Sequence, residues 1–254
     1  MQFRSNHFRS ALIAVAGVSL LAPIARADQK IVAATSVDGP QLRTMMAQMS
    51  PEQKAAMGKY GMGTSMISTV YVSGKKVRAD TNGSAVLMDP IAKTVTSLDR
   101  DSHTYTTRPF DPAAMKGASG VKASIVDAHD SKKLLGHTAH HYKMTITANS
   151  GSMAGTPIHG DVWVAADIAQ TPTLPTAGPG AVLQAELRKI KGFPLLTVIA
   201  VPNSPTGPLT VTTTVKSISN AALPATTFKI PAGYKASAPG AGVGAPGMGM
   251  PGPM

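Results

Sequence analysis

Three histidines and a run of methionines are the residues of this chain best suited to chemistry. They are His137, His140 and His141, with Met45, Met46, Met49, Met57, Met62 and Met66. Imidazole and thioether together suit a soft ion such as Cu(I). The histidine spacing works against one shared ion. On an extended strand His140 and His141 point to opposite faces, while His137 and His141 share a face about 13 Å apart, at about 3.3 Å per residue. A metal with bonds of about 2 Å does not bridge that gap without a bulge. The methionines follow helical spacing, which suits packing as well as ligation. No metal or cofactor is therefore expected, and a Met/His-rich copper-binding protein is the alternative reading.

Catalytic signatures are missing. The chain has no G-x-S-x-G elbow, no H-E-x-x-H and no phosphate-binding glycine loop. His103, Asp127, His129 and Asp130 lie in or near strand-like runs and read as solvated surface groups. The expectation is a protein that is not an enzyme. The absence of cysteine removes disulfides, thiolate metal sites, thioether haem attachment and lipid attachment at an N-terminal cysteine. The formal charge is +11, yet no run of five basic residues occurs and aromatics make up only 4%. Stacking platforms for single strands need both features, so nucleic acid is not an expected partner.

The first residues read as an export signal. Arg4 and Arg9 precede an apolar run over 11–24, which ends in Ala25-Arg26-Ala27, with no acidic residue before Asp28. Positive flank, short apolar core and small-x-small exit predict a signal peptide over 1–27, cleaved after Ala27, and a periplasmic mature protein. The signal takes three of the 24 basic residues, Arg4, Arg9 and Arg26, so the mature chain stays basic. A basic exported protein suits an anionic membrane surface. Residues 28–235 have the length of one domain. The Gly/Pro/Ala/Met-rich tail over 236–254 is predicted to be disordered.

The elements that must position these residues are mostly strands. Strand-like runs fall at 29–35, 64–73, 75–80, 85–88, 94–98, 103–108, 121–128, 137–148, 158–166, 182–190, 193–201, 209–218 and 226–230. Turn residues such as Gly74, Asn82-Gly83 and Gly192 divide them, which suggests an antiparallel meander. A helical insert occupies 40–62. Leu42, Met45, Met46 and Met49 form one stripe, and Ser50-Pro51-Glu52-Gln53 restarts a helix through a capping box. The three prolines and two glycines of 171–180 predict a loop or flap.

Strand phase predicts a one-sided sheet. His140, Tyr142, Met144, Ile146 and Ala148 share one face, Leu209, Val211 and Val215 another apolar side, and Leu183, Ala185 and Leu187 a third. About a dozen strands with two short helices leave a barrel or a concavity suited to an apolar ligand. The flexible methionines suit a lid over it, or equally a filled core. Trp163 sits awkwardly. With Val162, Val164 and Ala166 inward, it shares the outer face with His159 and Asp161, either beneath the 171–180 loop or as an exposed anchor for a partner.

The order of short motifs carries a resemblance. Val70-Tyr71-Val72-Ser73-Gly74-Lys75-Lys76-Val77-Arg78-Ala79-Asp80 is followed by Leu87-Met88-Asp89 and Thr104-Tyr105. Then come Leu134-Leu135-Gly136-His137-Thr138-Ala139-His140-His141-Tyr142, Asp161-Val162-Trp163 and Ile190-Lys191-Gly192-Phe193-Pro194-Leu195. The series closes on Phe228-Lys229-Ile230-Pro231-Ala232-Gly233-Tyr234. The pattern over 28–235 resembles periplasmic proteins of the LolA/LolB-like lipoprotein-carrier superfamily. That resemblance implies a mainly β fold with some α, a curved antiparallel half-barrel of about eleven strands under a short helical lid. It also implies an apolar cavity for acyl chains. His140 stands where related sequences often carry cysteine, and the methionine-rich insert and the tail are departures. The expected function is an exported carrier for lipid, acyl chain or another apolar ligand, with an anionic membrane surface or an envelope protein as a further partner. A structural envelope protein without ligand is a further alternative. The expected ligand-facing residues are Met45, Met46, Met49, Met57, Met62, Tyr142, Met144, Ile146, Leu183, Leu187, Val211 and Val215.

Overall fold

The computed structural model describes residues 28–54, 65–110, 121–148, 155–170, 179–204 and 207–237. The expected leader, Met57, Met62, most of the 171–180 flap and the tail beyond 237 lie outside the described residues. The first meander comprises β1 (Gln29–Asp38), β2 (Ser65–Ser73), β3 (Lys76–Asp80), β4 (Ser84–Asp89), β5 (Thr94–Asp99) and β6 (Thr104–Pro109). The second comprises β7 (Val121–Leu134), β8 (His137–Ala148), β9 (Pro157–Ala165), β10 (Phe193–Ser204) and β11 (Gly207–Ser219). Helix α1 (Pro40–Gln48) follows β1, and α2 (Pro179–Leu187) lies between β9 and β10. A 3-10 turn (Ala225–Phe228) and β12 (Lys235–Ala236) close the described chain.

All twelve strands belong to one sheet, ordered β12-β6-β5-β4-β3-β2-β1-β11-β10-β9-β8-β7. It is open and curved rather than closed, and mainly β as the sequence predicts. Neighbours pair antiparallel, except that β12 runs parallel to β6. The two meanders join where β1 pairs with β11 on one side and β2 on the other. Thr35 and Thr213 share a 3.0 Å hydroxyl hydrogen bond across that seam.

Local chemistry explains the hairpins. Gly74 adopts φ +57° between β2 and β3, a left-handed position that glycine takes without strain. The next two long turns use one device twice. Asp89 Oδ1 accepts the backbone N–H groups of Ile91 and Ala92 at 3.0 and 3.1 Å. Ten residues on, Asp99 Oδ1 accepts those of Asp101 and Ser102 at 2.9 and 3.0 Å. Each turn then passes through a residue at positive φ, Lys93 or His103. An aspartate side chain standing in for a backbone acceptor is an efficient turn former.

The core is carried by the strands. Ile31, Ala139, Ala165, Leu195 and Val215 form one buried cluster, and Val77, Met88 and Val95 another, with Val70 packed against both. A third, of Ala85, Leu87 and Leu98, is covered by Tyr105 and Tyr234. The C-terminal segment is strapped there by polar contacts as well. Arg78 donates to the Thr227 carbonyl at 2.9 Å while holding Asp80 at 2.6 Å, and Arg100 reaches the same carboxylate at 2.7 Å.

Several expectations need correction. Residues 182–190 were expected as a strand with Leu183 and Leu187 on one side, but α2 covers Pro179–Leu187. Leu-Gln-Ala-Glu-Leu is built from strong helix formers, and a short apolar run does not separate strand from buried helix by periodicity. Pro179 and Gly180 thus begin a helix instead of continuing the flap. The run at 226–230 is replaced by the 3-10 turn. Ala236, expected in the tail, belongs to β12, and β7 continues to Leu134 past its expected end at 128. The strand count needs none: the sheet has twelve, in line with the dozen or so expected.

Candidate functional site

The register places an apolar row across five strands. Met144 on β8 stands opposite Gly160 on β9, which stands opposite Ile199 on β10. Ile199 in turn faces Val211 on β11, and Val211 faces Val37 on β1. A second row, two residues along, runs Tyr142, Val162, Thr197, Thr213, Thr35 and Met66. Alternation puts both rows on one face, together with Ile146 and Val215. At the β8–β9 end Met144, Ile146 and Val162 are buried. Toward the centre Val37, Ile199 and Val211 are only half-buried. Burial pushes the Tyr142 phenol above its ordinary pKa, and the opposing Asp127 adds to the rise.

Gly160 shapes this face. A Cβ there would lie 2.5 Å from the Val198 carbonyl oxygen and would collide with the Met144 methyl. The missing side chain lets Met144 lie flat over β9. Gly39 does the same where β1 passes into α1, since a Cβ would sit 2.6 Å from both Leu209 Cδ2 and the Pro208 oxygen. That close approach seats α1 against β11.

Helix α1 carries the expected stripe unevenly. Leu42 is buried, Met46 and Met49 are half-buried, and Met45 is 37% exposed. The capping box forms as expected. Ser50 N–H donates to Gln53 Oε1 at 2.9 Å, Gln53 N–H donates to Ser50 Oγ at 3.3 Å, and 51–54 is helical.

The opposite face carries a polar constellation around His141 and Trp163. His141 on β8 faces Trp163 on β9, and their rings stack at 4.4 Å with 4° between planes. Nδ1 bonds Asp130 at 2.7 Å and Nε2 bonds Asp161 at 2.8 Å. Each ring nitrogen is thus within hydrogen-bond distance of a carboxylate oxygen. Lys132 Nζ lies 3.5 Å from the Trp163 centroid, close enough for a cation–π contact. Asp130 reaches the site because β7 is irregular between Asp127 and Ser131, with His129 at φ +61°. Both ring nitrogens are thereby turned to carboxylates. Among the described residues, no group of three His, Cys, Asp or Glu side chains is placed to hold an ion.

The structure thus brings Tyr142, Met144, Ile146, Val211 and Val215 to one face. Leu187 is half-buried at the end of α2 and is not a strand residue. The three histidines separate. His140 is exposed, His137 bonds Asp167 at 2.7 Å, and His141 belongs to the stack. Trp163 is covered by His141 and Lys132, so it is no exposed anchor. The sequence reading missed Asp130 and Asp161 as partners of His141 and Lys132 as the partner of Trp163. The only sequence signal was Asp161 beside Trp163 on the polar phase of β9. Residues 41–234 match the model of a family described as Domain of unknown function (DUF4412). No curated protein matches the chain.

Proposed function

The chain belongs to the DUF4412 family, and from that premise we propose that it is an exported binding protein for an acyl chain or another apolar ligand. The observation that carries this reading is the five-strand row Met144–Gly160–Ile199–Val211–Val37, buried at one end and half-open in the middle. A half-open apolar strip on a broad sheet is a binding surface by the same physics that buries it elsewhere. Thr35, Thr197 and Thr213 supply a few polar groups beside the strip, as ligand sites commonly do. Helix α1 borders it, and its methionines are unbranched and adaptable. No catalytic step is part of the proposal.

The test is native mass spectrometry and lipid extraction on gently purified protein, followed by fluorescent-lipid titration of Met45→Ser, Met46→Ser, Met49→Ser and Ile146→Ser. The methionine changes should weaken binding severalfold and cost little stability. Ile146, 5% exposed, should mainly lower stability, by about 2–5 kcal/mol. Methionine variants that destabilise as much as Ile146→Ser, with binding by the folded fraction untouched, would make these side chains core filler. Tight Cu(I) uptake without any lipid binding would turn the assignment to a copper protein.

A further inference from the structure

Between the end of β9 and the start of β10 the chain makes a basic-rimmed hollow. Residues 166–170 leave the sheet and 188–192 return to it, and together they line an open space of about 370 Å³. The Gln170 amide joins the two segments by donating to the carbonyls of Leu187, at 3.1 Å, and Ile190. Its floor is apolar, with Ile168 and Ile190 beside Ala166 and Ala169. Ile168 packs on the cluster of Ile31, Ala139, Ala165, Leu195 and Val215, so the floor is continuous with the core. Gly192 completes the wall at φ +121°, where a Cβ would strike the Ala165 carbonyl.

The rim is cationic. Arg188, Lys189 and Lys191 all line the space. Lys189 is bonded to Glu186 at 2.6 Å, and the nearby Asp167 is committed to His137. Arg188 and Lys191 have no ion-pair partner among the described residues. Among the described residues, the hollow therefore pairs two cations lacking an ion-pair partner with a greasy floor. A hydrated inorganic anion gains little from that floor, and a neutral alkyl chain gains little from the rim.

We propose that this hollow binds the anionic head of an amphiphile, a phosphate or carboxylate, with its first methylenes on Ile168 and Ile190. Arg188 supplies the planar donor fork that such oxyanions match, and Lys191 a second charge. The inference rests on the apolar-ligand reading above and names the head that the ligand carries.

The test compares a fluorescent fatty acid with its own methyl ester, identical except for the charge, binding to the purified protein. The acid should bind about tenfold more tightly, an advantage that charge-assisted hydrogen bonds supply. Arg188→Gln with Lys191→Gln should abolish that preference and leave ester binding unchanged. Lys75→Gln with Lys216→Gln, removing equal charge from a hairpin turn and from β11, should keep it. Equal affinity for acid and ester, or a preference that survives the Arg188/Lys191 change, overturns the head-group site while the apolar-ligand reading stands. Inorganic phosphate binding as tightly as the acid, at matched ionic strength, makes the hollow a free-anion site and also overturns it. Binding of neither probe overturns both readings.

Discussion

At the residue scale, His141 is held between two carboxylates and an indole. It ties the irregular part of β7 to β8 and β9. His141→Phe keeps a ring for the stack and removes both contacts to the carboxylates. Urea unfolding, followed by the fluorescence of the single tryptophan, should show a loss of about 1–2 kcal/mol. The loss stays modest because Asp130 and Asp161 remain partly in water. Unchanged stability would mean the cluster locks nothing. Asp89 offers a second test. The Lys76 ammonium, together with the N–H groups of Ala92 and Ile91, holds its carboxyl below the usual aspartate range. A depressed folded pKa stabilises the fold above about pH 4, the unfolded value, and that contribution is lost as pH falls through the folded one. Asp89→Asn keeps the turn's acceptor and removes the charge. The stability gap between wild type and variant should therefore shrink as pH drops from about 5 to about 2. A gap independent of pH would assign Asp89 a purely geometric role.

At the scale of elements, Gly160 lets two strands and a methionine share one layer. Gly160→Ala should cost about 1–3 kcal/mol, because the obstacle is the Val198 backbone as well as a movable methyl. A neutral result in denaturant unfolding would show that β9 and β10 have slack. Strands that alternate in burial, such as β8, were legible in the sequence, because a one-sided sheet writes its period into the chain. So were the turns at Gly74 and Asn82-Gly83 and the Ser50–Gln53 cap, where local hydrogen bonding decides the backbone. The α2 segment was misread because Val182 to Leu187 is apolar enough for either state, and packing against β7 and β8 decides it. The turns at Asp89-Pro90 and at Asp99 to Ser102 were legible as strand boundaries too, and the structure shows one aspartate device in both. Of the candidate site, the shared face of Tyr142, Met144 and Ile146 followed from alternation. Its continuation through Ile199 to Val37 did not, because registers between distant strands are set by pairing that no local pattern records.

At the scale of the whole molecule, an open sheet has two edges to protect. At one edge α2 packs on β7, and β7 is bulged. At the other, β12 covers the start of β6, with Lys235 N–H donating to the His103 carbonyl at 3.0 Å and Ser237 N–H to the Tyr105 carbonyl at 2.8 Å. Lys235→Pro with Ser237→Pro removes both donors and uncovers β6. Light scattering should then show association that rises with concentration, while the wild type stays unchanged over the same range. An equally monodisperse variant would show that β6 needs no cover.

The seam between the meanders has a consequence in time. Thr35 on β1 and Thr213 on β11 are 178 residues apart in sequence. A chain made N-terminus first at about 5–20 residues per second leaves that side of β1 without its partner for about 10–40 s. Hairpins within the first meander can close in that interval, since loops this short form in microseconds. The first strand to appear is thus among the last to be completed, and its waiting edge is where a chaperone, or a misfolded neighbour, has the longest opportunity to act.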